Sequence, residues 1–260
     1  MELWNTIPYP CKEIPALHYL APTAPSVDAA VLIFPGGGYG GRCADKEGTV
    51  YAGLFNAVGM HAFVVDYRVA PHHFPAPLVD ARRAVRWVRA HAAEYGIDPQ
   101  KIAVMGSSAG GHLAALVSTY TAPIEGERTD EIDDLPFLPN AQILCYPVIC
   151  SPDTGLAHVG SYRNLLGEDA SIGAQRAVDP ARLVTETTPA AFIWHTTRDG
   201  AVPAPNALQY AQALWAAKVP TELHLFPFGA HGLGISPDDP HVAQWTQLMM
   251  QWLKNIMKWI

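Results

Sequence analysis

Short apolar runs rich in β-branched residues recur along this chain and alternate with longer stretches of helical periodicity. That rhythm is the strongest constraint on the fold. A fully apolar run of five to seven residues has no solvated face, so it belongs in the middle of a sheet covered on both sides. Strands separated by helices then pair in parallel, because each helix returns the chain to the same edge. The runs are Ala29 to Phe34, His61 to Tyr67, Lys101 to Gly106, Gln142 to Val148, Ala190 to Thr196 and Thr221 to Phe226. The helical stretches are Pro77 to Tyr95, Ala109 to Tyr120, Pro203 to Lys218 and Val242 to Ile260. In the first, Val79, Ala84, Val85, Val88 and Ala92 form one face and Arg82, Arg83, Arg86 and Arg89 the other, and Gly96 ends it. The expectation is an α/β fold: a mostly parallel central sheet with helices on both faces.

Two segments break the rhythm. Residues 150–188 are rich in Ser, Gly, Asp and Pro, with a short apolar patch at Tyr162 to Leu166. An insertion of this length in a compact domain is usually a lid or a binding loop, so it is read as a small cap within one domain spanning residues 1–260. Thr121 to Pro139 carries six acidic residues and is read as a solvated excursion.

Hydrophobic residues make up 49% of the chain and charged ones 16%, which supplies a sizeable core and argues against disorder. A formal net charge of −7 without a Lys/Arg-rich block argues against nucleic acid as a partner. The start, MELWNTIPYP, lacks the basic and apolar regions of a signal peptide, and no run of about 18 apolar residues suggests a membrane span. Cys11, Cys43, Cys145 and Cys150 form no C-x-x-C pair and read as free thiols of a cytoplasmic protein. Trp245, Trp252 and Trp259 could fill the core or a seam with a second copy of the chain.

Chemistry concentrates at VMGSSAGGH, residues 104–112. Gly106-Ser107-Ser108-Ala109-Gly110 reads as G-x-S-x-G between a strand and a helix, the setting of a nucleophile elbow centred on Ser108. The turn is too sharp for side chains at its flanks. It lifts one hydroxyl above the sheet and turns the N–H of Ala109, at the helix N-terminus, toward the same space. Ser107 fails the pattern, because Met105 stands two residues before it. An activated serine needs a base and a group to orient that base. In this arrangement the acid and then the base follow late strands. Asp199 follows AAFIWHT, and His231 follows TELHLF within Gly229-Ala-His-Gly232. Of eleven histidines, His231 alone occupies a glycine-flanked loop between the last strand and the last helix. Pro35-Gly36-Gly37-Gly38-Tyr39 follows the first of these strands, and its bare backbone can approach a substrate oxygen. Gly37 and Gly38, with Ala109, are the expected oxyanion-hole donors. The glycines do not match a phosphate-binding loop.

PGGGY, DYRVAP (Asp66 to Pro71), GSSAGGHLA, the Asp199 loop and GAHG together resemble α/β-hydrolase esterases, in particular the acetyl-xylan-esterase-like relatives of hormone-sensitive-lipase-type carboxylesterases. The resemblance runs from about Ala29 to the C-terminus. It implies an α/β-hydrolase fold, no cofactor and no metal, and a small-molecule ester as partner. The implied reaction is serine hydrolysis of short acyl esters, with acetyl groups on carbohydrates as the first candidates. An amide hydrolase using the same machinery, such as an arylformamidase or a small peptidase, is the alternative, and a non-catalytic binding protein a more distant one. Pro35 stands where lipase relatives usually carry a histidine, and the absence of long N-terminal cap helices leads us to expect no preference for long acyl chains. Tyr39 and Tyr162 are candidate substrate contacts. His112 reads as a hydrogen-bonded helix residue, Asp66 and Arg68 as a structural turn supporting the glycine loop, and Cys43, Asp45 and Glu47 as neighbours of the pocket. The adjacent pair His72-His73 lacks the spacing of a helical zinc site.

Overall fold

The computed structural model describes residues 1–9 and 14–260. In chain order the elements are β1 (Ala16–Leu20), β2 (Ala30–Phe34), α1 (Val50–Asn56), β3 (His61–Asp66), α2 (Ala76–Ala90), α3 (Ala92–Tyr95), β4 (Ile102–Ser107), α4 (Ser108–Thr119), β5 (Ala141–Cys145), α5 (Val159–Leu166), α6 (Ile172–Ala177), α7 (Pro180–Leu183), β6 (Ala190–Thr196), α8 (Pro205–Ala216), β7 (Thr221–Phe226) and α9 (Pro240–Trp252). The strands form one seven-stranded sheet in the order β1-β3-β2-β4-β5-β6-β7. Only β1 runs antiparallel, against β3; the other pairings are parallel.

The apolar runs of β2 to β6 are strands because both of their faces are buried. Ala30, Leu32 and Phe34 of β2 face a core shared with α2, α4 and α8, while Val31 and Ile33 face a second core shared with α1 and α9. The same two-residue alternation divides β3, β4 and β6. Trp245, Trp252 and Trp259 all bury in the second core, where Trp245 stacks on Trp194 of β6 at 4.9 Å. Among the described residues no helix is long and apolar enough to cross a membrane. Cys43, Cys145 and Cys150 are free thiols; Cys11 lies outside the described residues.

The acidic stretch 121–139 is not a solvated excursion. It folds back across the arginine face of α2. Glu127 binds Arg82 and Arg86 through its two carboxylate oxygens, and Arg83 binds both Asp130 and Asp133. Phe137 covers the Arg82 guanidinium, whose centre lies 4.0 Å above the ring. A charged helix face can be covered by an oppositely charged segment, but the lost hydration of each charge has to be offset by ion pairs and hydrogen bonds. The turn after β3 is also built differently from the expectation. Arg68 pairs with Asp80 of α2, not with Asp66, at 2.8 and 2.7 Å. Asp66 reaches His18 and Arg42. The turn still braces the glycine loop: Tyr67 Oη donates to Pro35 O at 2.6 Å, and Ala70 N donates to Tyr39 O at 2.7 Å.

Residues 150–188 hold α5, α6 and α7. Three of their polar residues are helix N-caps: His158, Ser171 and Asp179 accept from the amides of Ser161, Ala174 and Ala181.

Candidate active site

β4 passes into α4 through a turn so tight that Ser108 adopts φ +53°, in the left-handed region. A non-glycine residue held there stores backbone strain of about 1–3 kcal/mol, which the surrounding contacts must offset. The flanking glycines are obligatory for a visible reason. A Cβ on Gly106 would lie 2.1 Å from Gly110 O, and one on Gly110 would lie 2.0 Å from Phe34 O. The turn is pressed against itself and against the end of β2.

The loops after β6 and β7 meet this turn. His231 Nε2 lies 2.8 Å from Ser108 Oγ, and His231 Nδ1 lies 2.6 Å from Asp199 Oδ2. Residues separated by 123 and 32 positions in the chain thus form one continuous hydrogen-bonded line. The Asp199 side chain is fully buried, whereas that of His231 is 23% exposed, so the line runs from a sealed acid to a partly accessible base. Asp199 Oδ1 accepts the amides of Ala201 and Val202 at 2.9 and 2.8 Å. Burial by itself would raise the Asp199 carboxyl; hydrogen bonds from His195, His231 and the Val202 amide outweigh it and hold the group well below the usual carboxylate range. The side chain is therefore a full anion beside His231, able to fix a proton on Nδ1 and leave Nε2 free to accept.

The glycine loop lies directly over the elbow: a Cβ on Gly36 would approach Ser108 Cβ to 3.1 Å. Gly37 and Gly38 follow with φ +141° and +64°, and Gly37 O accepts the amides of Gly40 and Gly41. The Gly36 amide donates to Glu47 Oε2 at 2.9 Å. Glu47 Oε1 in turn accepts from Tyr146 Oη at 2.6 Å, and the Tyr146 ring stands edge-on to His231 at 5.1 Å.

The two tyrosines expected at the substrate are both buried, with their hydroxyls bonded to other groups. Tyr39 is 1% exposed and its hydroxyl meets His112 Nδ1 at 2.8 Å; Tyr162 is 2% exposed and donates to Ile149 O at 2.7 Å. His112 Nε2 lies 2.9 Å from Val178 O, so Nε2 carries the proton and Tyr39 donates to Nδ1. Burial lowers the His112 pKa to about 4, which makes it a neutral structural link between the glycine loop and the segment before α7. Ser107 is fully buried and donates to Tyr51 Oη at 3.1 Å.

Sequence reasoning gave no role to His195, whose Nε2 lies 2.9 Å from Val202 O and 3.3 Å from Asp199 Oδ2. Its signal was a histidine inside an otherwise apolar strand, four residues before the acid. Tyr146 carried no such signal, since its partner Glu47 is 99 residues away.

The family described as alpha/beta hydrolase fold matches residues 31–234. The chain is 34% identical over 233 residues to an acetylxylan esterase of Xylanibacter ruminicola, covering 87% of this chain and 45% of that protein. It is 36% identical over 215 residues to endo-1,4-beta-xylanase B of Butyrivibrio fibrisolvens, covering 80% of this chain and 33% of that protein. It therefore spans between a third and about half the length of these curated relatives. Among solved structures, an acetyl ester-xyloside bifunctional hydrolase from Caldicellulosiruptor lactoaceticus superposes with a TM-score of 0.92 at 38% identity, covering 99% of this chain and 96% of that one. Esterase 2 of Thermogutta terrifontis superposes with a TM-score of 0.82 at 29% identity, covering 98% and 93%.

Proposed function

The chain belongs to the α/β-hydrolase family, and from that premise we propose that it is a serine carboxylesterase that removes short acyl groups, acetyl first among them, from carbohydrate esters. The observation that carries the reading is the line from Ser108 Oγ through His231 to Asp199, at 2.8 and 2.6 Å. The acetylxylan esterase and the acetyl ester-xyloside hydrolase among its relatives support the choice of acyl group and alcohol.

His231 Nε2 takes the Ser108 proton as Oγ attacks the ester carbonyl carbon. The carbonyl oxygen becomes an oxyanion, received by the amides of Gly37 and Gly38 and by that of Ala109 at the N-terminus of α4. Asp199 stabilises the imidazolium formed at that moment and keeps its proton on Nδ1. As the intermediate collapses, His231 returns the proton from Nε2 to the departing alkoxide. Water then enters, loses a proton to His231 and attacks the acyl-enzyme, releasing the carboxylic acid and restoring Ser108. Helix α5, which touches the glycine loop through Asn164, bounds the space for the alcohol.

Ser108→Ala tests the reading. Loss of such a nucleophile costs about 10⁶ in turnover, so hydrolysis of p-nitrophenyl acetate should fall to near background. A fluorophosphonate probe should label the wild type at one serine and fail to label the variant. Near wild-type turnover by Ser108→Ala refutes the assignment.

A further inference from the structure

Helix α5 presents a polar ridge at three-residue spacing: His158 at its N-cap, then Ser161, then Asn164. Residues three apart lie along one helix face. That face touches the glycine loop. Asn164 Nδ2 donates to Gly38 O at 2.9 Å, and a Cβ on Gly38 would lie 3.8 Å from Ser161 Oγ. His158, one turn before Ser161 and bonded to it, therefore stands beside the glycine loop. Its ring is near enough to His231 and Asp199 for the charge on each to act on it.

The hydrogen bonds of His158 fix where its proton sits. The Ser161 amide donates to Nδ1 at 3.2 Å, and Ser161 Oγ lies 2.8 Å from the same nitrogen. A backbone N–H can only donate, so Nδ1 is the bare nitrogen and the proton is on Nε2. Among the described residues, Nε2 has no protein partner. The result is a half-buried, oriented N–H donor whose capping bond prevents rotation about the ring. Burial first, and the positive charge of the His231 imidazolium second, lower its pKa and favour the neutral, single-donor ring.

We propose that His158 is a specificity-determining residue for the alcohol half of the substrate, its Nε2–H donating to a sugar oxygen next to the ester being cleaved. The proposal rests on the esterase reading above and adds a cap-borne contact to it. A sugar ester carries hydroxyl and ring oxygens beside the ester and can accept this bond. The p-nitrophenyl group carries no such oxygen at that position, and its phenolate leaves without help. Discrimination between the two alcohols should therefore depend on His158.

The test separates recognition from helix capping. Asn is a preferred N-cap residue, so His158→Asn keeps the bond to the Ser161 amide and deletes the far donor, whereas His158→Ala deletes both. Steady-state kcat/KM would be measured on acetylated xylo-oligosaccharides and on p-nitrophenyl acetate, with active sites counted by fluorophosphonate labelling. The ratio of sugar ester to p-nitrophenyl acetate should fall about tenfold in both variants, the effect of one lost neutral hydrogen bond. An unchanged ratio in His158→Asn overturns the proposal, whatever the absolute rates, and so does a fall confined to His158→Ala. Failure of the underlying esterase reading looks different: the wild type would turn over neither ester.

Discussion

Asp199→Asn is the sharpest test of how the site is wired, because the substitution keeps shape and changes one atom. In the wild type all four hydrogen bonds to the carboxylate come from donors. Oδ1 accepts two backbone amides, at 2.9 and 2.8 Å, and Oδ2 accepts His231 Nδ1–H at 2.6 Å with His195 Nε2 at 3.3 Å. An asparagine has one acceptor and one donor end, so one side must now face its like. The two amides cannot move without reshaping the loop, so the amide oxygen stays with them and the NH₂ group turns toward His231. Nδ1 is then forced to accept, the proton shifts to Nε2, and His231 donates to Ser108 instead of receiving from it. Loss of the correct tautomer in an equivalent triad costs about 10⁴ in turnover, or about 5.4 kcal/mol at about 1.36 kcal/mol per decade. The assay is p-nitrophenyl acetate hydrolysis at neutral pH, with circular dichroism and thermal unfolding showing that the variant is folded. Activity within about tenfold of wild type would mean that Asp199 does not set the His231 tautomer.

Two further outcomes follow from buried charge. Glu127→Ala strands Arg82 and Arg86 beneath the 121–139 segment, and removing one partner of a buried pair costs about 3–5 kcal/mol, readable as a lower denaturant midpoint. His112, with its pKa lowered from 6.5 to about 4, stays neutral in the folded state while the unfolded chain takes up a proton below about pH 6.5. Its contribution is therefore present above pH 6.5 and lost as pH falls toward 4; 2.5 units at about 1.36 kcal/mol each is about 3 kcal/mol. His112→Gln, which keeps one acceptor and one donor, should lose less stability than wild type between pH 7 and 4.5 in urea titrations. Equal losses would refute this account of His112.

What could be read in the sequence was what each residue announces locally. Strands β2 to β6 are visible because both faces are apolar, and β1 is not, because Ala16–Leu20 sits at the sheet edge and mixes apolar with polar residues. Ser108, Asp199 and His231 stand in slots that follow from the elbow motif and the order of the strands, which suggested that they would converge. The fate of the arginine face of α2 depended on a partner segment. Arg82, Arg83 and Arg86 show no partner in the sequence until Glu127, Asp130 and Asp133, more than forty residues later, are folded over them. Tyr39 failed as a substrate contact for a related reason. A tyrosine beside a glycine loop reads as a pocket wall, yet its hydroxyl reaches His112, which is 73 positions further along the chain.

Glu47 shows how such distant pairings bear on the chemistry. Its oxygens join the Gly36 amide to Tyr146 Oη, and Tyr146 Oη also accepts the Gly234 amide at 3.1 Å. The glycine loop, the end of β5 and the loop that carries His231 are thereby tied to one buried carboxylate. An apolar residue at position 47 would leave the Gly36 amide buried without an acceptor, at a cost of about 1–3 kcal/mol. It would also remove the carboxylate acceptor of the Tyr146 hydroxyl, leaving that group to Tyr51 Oη and the Gly234 amide. The oxyanion donors and the base would then lose the tie that holds them in register. A reaction that needs its donors placed before charge develops depends on such a tie as much as on the three side chains that exchange protons.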